Sequence, residues 1–210
     1  MNSHSQNEED LIVIKHLQEC NIGIDSLTCL SLGENDGKTF SNVLNLIKLG
    51  ASAHLVEASD TVFVDLKSLH ASNKKVHLYN IGIGKKNGKA IFYESDTLLN
   101  EGDLSLVSTI EPEELKRWES SNIKFTEKEI DVYDFPSFHK MSEFSLFDIV
   151  SIDVEGLDFD ILSQMNLSEI GCQVLIVEFN GIDKSKYVDY VNGFGLRLIH
   201  ENPENLIFVK

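Results

Sequence analysis

The chain has 210 residues, enough for one domain with a sizeable core, and its 42% hydrophobic and 25% charged content is that of a soluble globular protein. Acidic residues outnumber basic ones 34 to 18, for a formal net charge of -16. That balance argues against nucleic acid or an anionic membrane surface as the main partner, because both reward clustered Lys and Arg. The opening "MNSHSQNEEDLIVIKHLQEC" has no basic region and only the short apolar run LIVI, so no secretory leader is expected. No run reaches the roughly 18 apolar residues of a membrane span. Cys20, Cys29 and Cys172 lie far apart and are expected to be buried free thiols, in a cytoplasmic protein.

In chain order, a helical lead-in over about residues 8–19 precedes the apolar strand LTCLSL, 27–32. After a polar loop, Phe40, Val43, Leu44 and Ile47 recur at helical spacing, with Gly50 placed to end the helix. The strand AHLVEAS, a helix carrying Val62, Phe63, Leu66 and Leu69, and the strand VHLYNIGIG (76–84) follow. Between about 85 and 140 the alternation breaks. GKAIFYES and IKFTEKEIDVY read as strands, with the helix-like PEELKRWES between them. Alternation resumes with LFDIVSID, a helix from about 157 to 165, QVLIVEF, and a helix over about 184–191. LRLIH and LIFVK are separated only by ENPEN, too short for a parallel crossover, so they pair antiparallel. The sum is a single α/β domain over 1–210, with 1–26 as lead-in. Its sheet is doubly wound and mostly parallel, with a C-terminal antiparallel hairpin strand.

In such a sheet, ligands bind at the carboxyl ends of strands near the switch in strand order. The loop after the first strand reads Gly33-Glu34-Asn35-Asp36-Gly37. A dinucleotide fingerprint, G-x-G-x-x-G, brings backbone to a pyrophosphate; here the middle glycine is absent. Glu34 and Asp36 would each repel a pyrophosphate by roughly 3 kcal/mol at about 5 Å and an effective dielectric of about 20. The Gly-Lys-Thr at 37–39 lacks the spacing of a phosphate-binding P-loop. S-adenosylmethionine removes the conflict, because it carries a sulfonium and an ammonium and no phosphate. Glu34 and Asp36 then face its amino acid end. Glu57, ending the second strand, is placed to accept both ribose hydroxyls.

Four stretches carry a family resemblance: LSLGENDGKTFSNVL, HLVEAS, VHLYNIGIGKKNGKAIFY and FDIVSIDVEGLDFDIL. From about residue 27 onward the chain resembles the FkbM-type S-adenosylmethionine-dependent methyltransferases. The resemblance implies a class I methyltransferase sheet, S-adenosylmethionine as methyl donor, and O-methylation of a hydroxyl on a sugar or other small metabolite. It puts Gly33, Asn35, Gly37, Glu57 and Asn80 at cofactor positions, and Asp153 and Glu155 in the active-site motif. Ser31 stands where many class I enzymes carry an acid, with Glu34 or Asp36 as its replacement; Ala58 stands where the family often has proline.

A general base must take the acceptor's proton. The candidates are Asp153 first, then Glu155 or Glu178; His54 and His139 are the lesser alternatives. Asp153 or Glu155 could instead cap the helix that follows. No metal site is assigned. Asp153 and Glu178 would lie at neighbouring strand ends and could share a divalent cation, but no His or third carboxylate is fixed by spacing. The insertion over 94–140, with SLVSTI and Trp118, is expected to cover the substrate. Two rival readings are a nicotinamide-dependent oxidoreductase and a non-catalytic binding module.

Overall fold

The structure, a computed structural model, describes residues 1–96, 104–142, 144, 146–180 and 183–210. Its first half runs α1 (Glu9–Glu19), β1 (Thr28–Leu32), α2 (Leu44–Lys48), β2 (Ser52–Val56), α3 (Asp60–His70) and β3 (Val76–Tyr79). The middle supplies β4 (Gly82–Ile83), β5 (Gly88–Ser95), β6 (Phe125–Tyr133) and α4 (Phe135–Met141). The last part is β7 (Ile149–Ile152), α5 (Asp158–Leu162), β8 (Val174–Glu178), α6 (Ser185–Asn192), β9 (Arg197–Glu201) and β10 (Asn205–Val209).

The main sheet has seven strands in the order β3-β2-β1-β7-β8-β10-β9. The first five are parallel, and β10 runs antiparallel to both β8 and β9. The predicted hairpin is therefore present and reverses one strand near the edge. Side chains alternate between faces along each strand. Leu30 and Leu32 join Phe138, Ile161 and Val191 under α4, α5 and α6, whereas Cys29 joins Val13, Leu46 and Leu66 under α1, α2 and α3. Burying both faces explains why β7, β8 and β10 are apolar apart from Ser151, Glu178 and Asn205 rather than alternating. Among the described residues no helix is long and apolar enough to cross a membrane.

Several elements differ from expectation. VHLYNIGIG is not one strand: β3 stops at Tyr79, and the Asn80 amide donates to Glu57 O at 2.9 Å and Ala58 O at 3.3 Å. Gly82–Ile83 then joins a second sheet, β4-β6-β5, in which β5 and β6 pair antiparallel. Phe40 is left-handed, with φ 58°, so the helix after the loop starts only at Leu44, where Ser41 Oγ accepts from Leu44 N at 3.0 Å. Pro112–Trp118 is a 3₁₀ helix, closed by Glu114 N donating to Glu111 O at 3.0 Å. Helix α4 was unforeseen, although its start signal is there: Asp134 accepts from Ser137 N at 2.9 Å and Pro136 lies in the first turn. All three cysteines are free thiols, but Cys20 is exposed.

Candidate active site

Strand order reverses at β1, which has β2 on one side and β7 on the other. The loops leaving β1 and β7 therefore open onto the same edge, where a cavity of about 370 Å³ lies, within the range of about 300–1,000 Å³ usual for small-molecule sites. Gly33, Glu34, Asn35, Glu57, Asp153, Glu155 and Glu178 all line it. Asp36, Gly37, Asn80, His54 and His139 are not among its lining residues.

Gly33 N and Glu34 N both donate to Val56 O, at 3.0 and 3.1 Å, tying the glycine loop to the end of β2. Gly33 has φ +82°, and a Cβ there would lie 1.7 Å from Asp153 O, so the two loops touch through bare backbone. Asp36 shapes the turn: its Oδ1 accepts from Lys38 N at 2.8 Å and Thr39 N at 2.7 Å. Gly37, φ +79°, faces Leu66, which a Cβ would approach to 2.5 Å. Glu34 does line the cavity, yet its Oε1 accepts from Ser41 Oγ at 2.5 Å, joining the loop to the start of α2. Burial pushes its carboxyl up to about 7 against the pull of the Ser31 and Ser41 hydroxyls.

Glu57 accepts from Ser59 N at 2.6 Å through Oε1 and from Asn35 N at 2.8 Å through Oε2. Burial raises it to about 7, opposed by these amide bonds. A carboxylate offers about four acceptor positions, so about two remain for ligand hydroxyls.

At the end of β7, Asp153 N donates to Leu32 O at 3.0 Å. The turn that follows is tied by Asp158, which accepts from Val154 N at 2.9 Å and Gly156 N at 3.1 Å. Helix α5 has no side-chain cap at its N-cap residue, Leu157, so neither Asp153 nor Glu155 serves as one. Glu155 is left-handed, φ 53°, and its carbonyl accepts from Thr109 Oγ1 at 2.7 Å. Arg117 Nη1 lies 3.5 Å from Glu155 Oε2 and 3.4 Å from Glu114 Oε2. One carboxylate oxygen from each of Asp153, Glu155 and Glu178 lies within 4.8 Å of the others. Burial lifts all three carboxyls, Asp153 to about 8 with Asp158 adding to it, and Glu155 and Glu178 well above their ordinary range with Asp153 adding to both.

The lesser base candidates lie elsewhere. His54 stacks on His77 at 4.6 Å and shares a hydrogen bond with Tyr79 OH at 3.0 Å; burial lowers it to about 4. His139 stacks on Phe135 at 5.6 Å. Sequence reasoning missed Asp158, Thr109 and Arg117. Only the first had a local signal, an acid two residues beyond the Asp-Val-Glu-Gly turn. Residues 97–103 of the predicted substrate cover lie outside the described residues; Ser105 to Ile110, Arg117 and Trp118 line the cavity.

These residues fit S-adenosylmethionine. Glu57 has free acceptor capacity at the ribose position, the loop closes through backbone without a basic side chain, and the cavity is rich in carboxylates suited to a cation. The family described as "Methyltransferase FkbM domain" matches residues 31–194. No curated protein matches the chain. Among solved structures, the methyltransferase yhhF from Escherichia coli is 13% identical with a TM-score of 0.50, over 100% of this chain and 88% of that one. The RNA methyltransferase PH1948 from Pyrococcus horikoshii is 15% identical with a TM-score of 0.48, over 97% and 83%. Aeropyrum pernix fibrillarin, with S-adenosyl-L-methionine natively bound, is 13% identical with a TM-score of 0.46, over 90% and 69%. The fold agrees with class I methyltransferases, and the family match spans most of the chain: it belongs to the FkbM methyltransferase family, with S-adenosylmethionine as its cofactor.

Proposed function

We propose that the protein methylates a hydroxyl oxygen of a sugar or other small metabolite, in the cytoplasm. The observation that carries this reading is the convergence of Asp153, Glu155 and Glu178 at the cavity's edge, since a hydroxyl must lose a proton as it is methylated and these groups accept one. S-adenosylmethionine supplies an electrophilic methyl group, whose bond to sulfur breaks as the bond to oxygen forms. Glu57 holds the ribose through its free lone pairs. The Gly33–Asn35 backbone and Glu34 shape the wall for the amino acid end. Asp153, which burial raises to about 8, takes the hydroxyl proton when it is ionised, with Glu155 and Glu178 as the next candidates. Ser105 to Ile110, with Arg117 and Trp118, cover the acceptor. Trp118 Nε1 is buried without a partner, a donor available to an acceptor oxygen.

A thermal-shift titration tests this. S-adenosylhomocysteine at about 100 times its dissociation constant should stabilise the protein by about 2.7 kcal/mol, and NAD should not. Glu57→Ala should weaken that binding by roughly 1–3 kcal/mol. No stabilisation by S-adenosylhomocysteine would sink the methyltransferase chemistry. Binding without turnover across a panel of hydroxyl acceptors would point to a non-catalytic module.

A further inference from the structure

We propose that Asp153, Glu155 and Glu178 bind a hard divalent cation, and that this cation holds the acceptor's hydroxyl oxygen beside the cofactor pocket. The acceptor part rests on the methyl-transfer reading above; the cation site does not.

The carboxylates come from two adjacent strand ends. Asp153 and Glu155 follow β7, and Glu178 ends β8, which pairs with β7 up to Ile152 and Val177. Two oxygens each about 2.4 Å from one ion can be at most about 4.8 Å apart. The three oxygens here lie within 4.8 Å of one another, so a small contraction brings all three onto one cation of calcium size, and a somewhat larger one onto a smaller ion. The group faces the cavity, so a cation there is reachable and its remaining coordination positions are open to water or substrate.

An independent observation points to a ligand. Glu178 is only 6% exposed, and its Oε2 is buried with no hydrogen-bond partner. A buried carboxylate oxygen without a donor is costly, by more than the roughly 1–3 kcal/mol of a neutral group. The nearby positive charge does not remove the cost. Arg117 is shared between Glu155 and Glu114 at 3.4–3.5 Å, longer than the roughly 2.7–2.9 Å of a charge-assisted bond. One guanidinium against three carboxylates leaves a formal deficit of two positive charges. Asp158 adds acidity but is not part of this group of oxygens; it accepts the N–H groups of Val154 and Gly156.

The donor set names the class of ion. Three carboxylates without imidazole or thiolate favour magnesium, manganese or calcium over zinc. With six positions in the shell, about three remain, enough for two oxygens of one acceptor. A vicinal diol, as found on sugars, would chelate there. A cation there would lower the pKa of the bound hydroxyl, so that it reacts as the alkoxide after losing its proton to water.

The test is a titration of chelator-treated protein with MnCl₂, following free Mn²⁺ by electron paramagnetic resonance. S-adenosylhomocysteine binding is measured by calorimetry on the same samples. One Mn²⁺ per chain is expected. Glu178→Gln and Asp153→Asn should each weaken it by more than about tenfold, with melting temperature and S-adenosylhomocysteine affinity reporting that the fold persists. A native protein that binds S-adenosylhomocysteine but no Mn²⁺ would overturn the cation site and leave methyl transfer standing. One that binds Mn²⁺ but no S-adenosylhomocysteine would do the reverse. Mn²⁺ binding undiminished in both variants, or at several sites per chain, would show adventitious binding to an acidic surface and overturn the assignment.

Discussion

A methyl group added at Gly33 would lie 1.7 Å from the Asp153 carbonyl oxygen, on a residue with φ +82°. Left-handed strain alone costs roughly 1–2 kcal/mol in an L-residue, and the clash comes on top. Gly33→Ala should therefore lower the melting temperature by more than strain alone predicts and abolish S-adenosylhomocysteine binding, because the β1 and β7 loops must separate. Retained affinity would show that the loops can part without harm. Asp153→Asn probes the chemistry at the same contact. An amide keeps the shape but takes no proton, so turnover should fall by about 100- to 10,000-fold while the melting temperature and S-adenosylhomocysteine affinity hold. Near-normal turnover would move the base to Glu155 or Glu178. Glu34 gives a pH test. Burial raises its carboxyl from 4.5 to about 7, so the native state holds its proton more tightly than the unfolded chain. Its contribution is intact below about 4.5 and is lost as pH rises through about 7. Glu34→Gln should flatten that part of the melting temperature against pH, by an amount on the order of 3 kcal/mol at pH 8. An unchanged profile would mean that Ser31 and Ser41 already compensate the charge.

At the scale of elements, the site hangs on a turn and a strap. In the turn after β7, Glu155 is left-handed and Asp158 gathers the N–H groups of Val154 and Gly156 on either side of it. Asp158→Ala should leave both donors without that partner, at roughly 1–3 kcal/mol. Thermal unfolding would register it, and turnover should fall further than stability because Glu155 and Asp153 flank the loosened turn. The strap is the described chain that precedes β6, residues 104–124. Thr109 bridges to Tyr93, with Tyr93 N donating to Thr109 O at 2.8 Å, and its hydroxyl reaches Glu155 O. Neither contact shows as periodicity, since each joins residues with no regular spacing between them. Local chemistry also outweighed helical spacing after β1. Phe40 fits an apolar helix face, but Asp36 holds the N–H groups of Lys38 and Thr39 in a turn, which delays the helix to Leu44.

For the whole molecule, a net charge of -16 makes self-repulsion a cost of folding. Raising NaCl from about 0.02 to about 0.5 M shrinks the screening length severalfold. The ligand-free melting temperature should rise with it, and a flat response in differential scanning calorimetry would show that the excess charge is too dispersed to matter. Much of the fold was legible beforehand for a physical reason. Strands buried on both faces, such as β7 and β8, are largely apolar along their length, and a five-residue link between LRLIH and LIFVK permits only an antiparallel turn. Gly33, Asn35, Glu57, Asp153 and Glu155 were marked by motifs that sit at strand ends, where the chain's own order specifies the neighbourhood. Asp36, Gly37 and Asn80 carried the same marks but spend them on backbone, because an Asx turn and a bend look like a binding loop until the partners are placed. Glu178 could be paired with Asp153 only through the assumed strand order. The sequence by itself determined the alternation, the hairpin, the family and the acidic character of the loop, all of which depend on local chemistry or chain connectivity. Only the tertiary structure decided that Glu155 completes a triad with Asp153 and Glu178, that Arg117 and Thr109 close over it, and that one Glu178 oxygen is left without a partner, because these follow from the packing of strand ends and a distant strap.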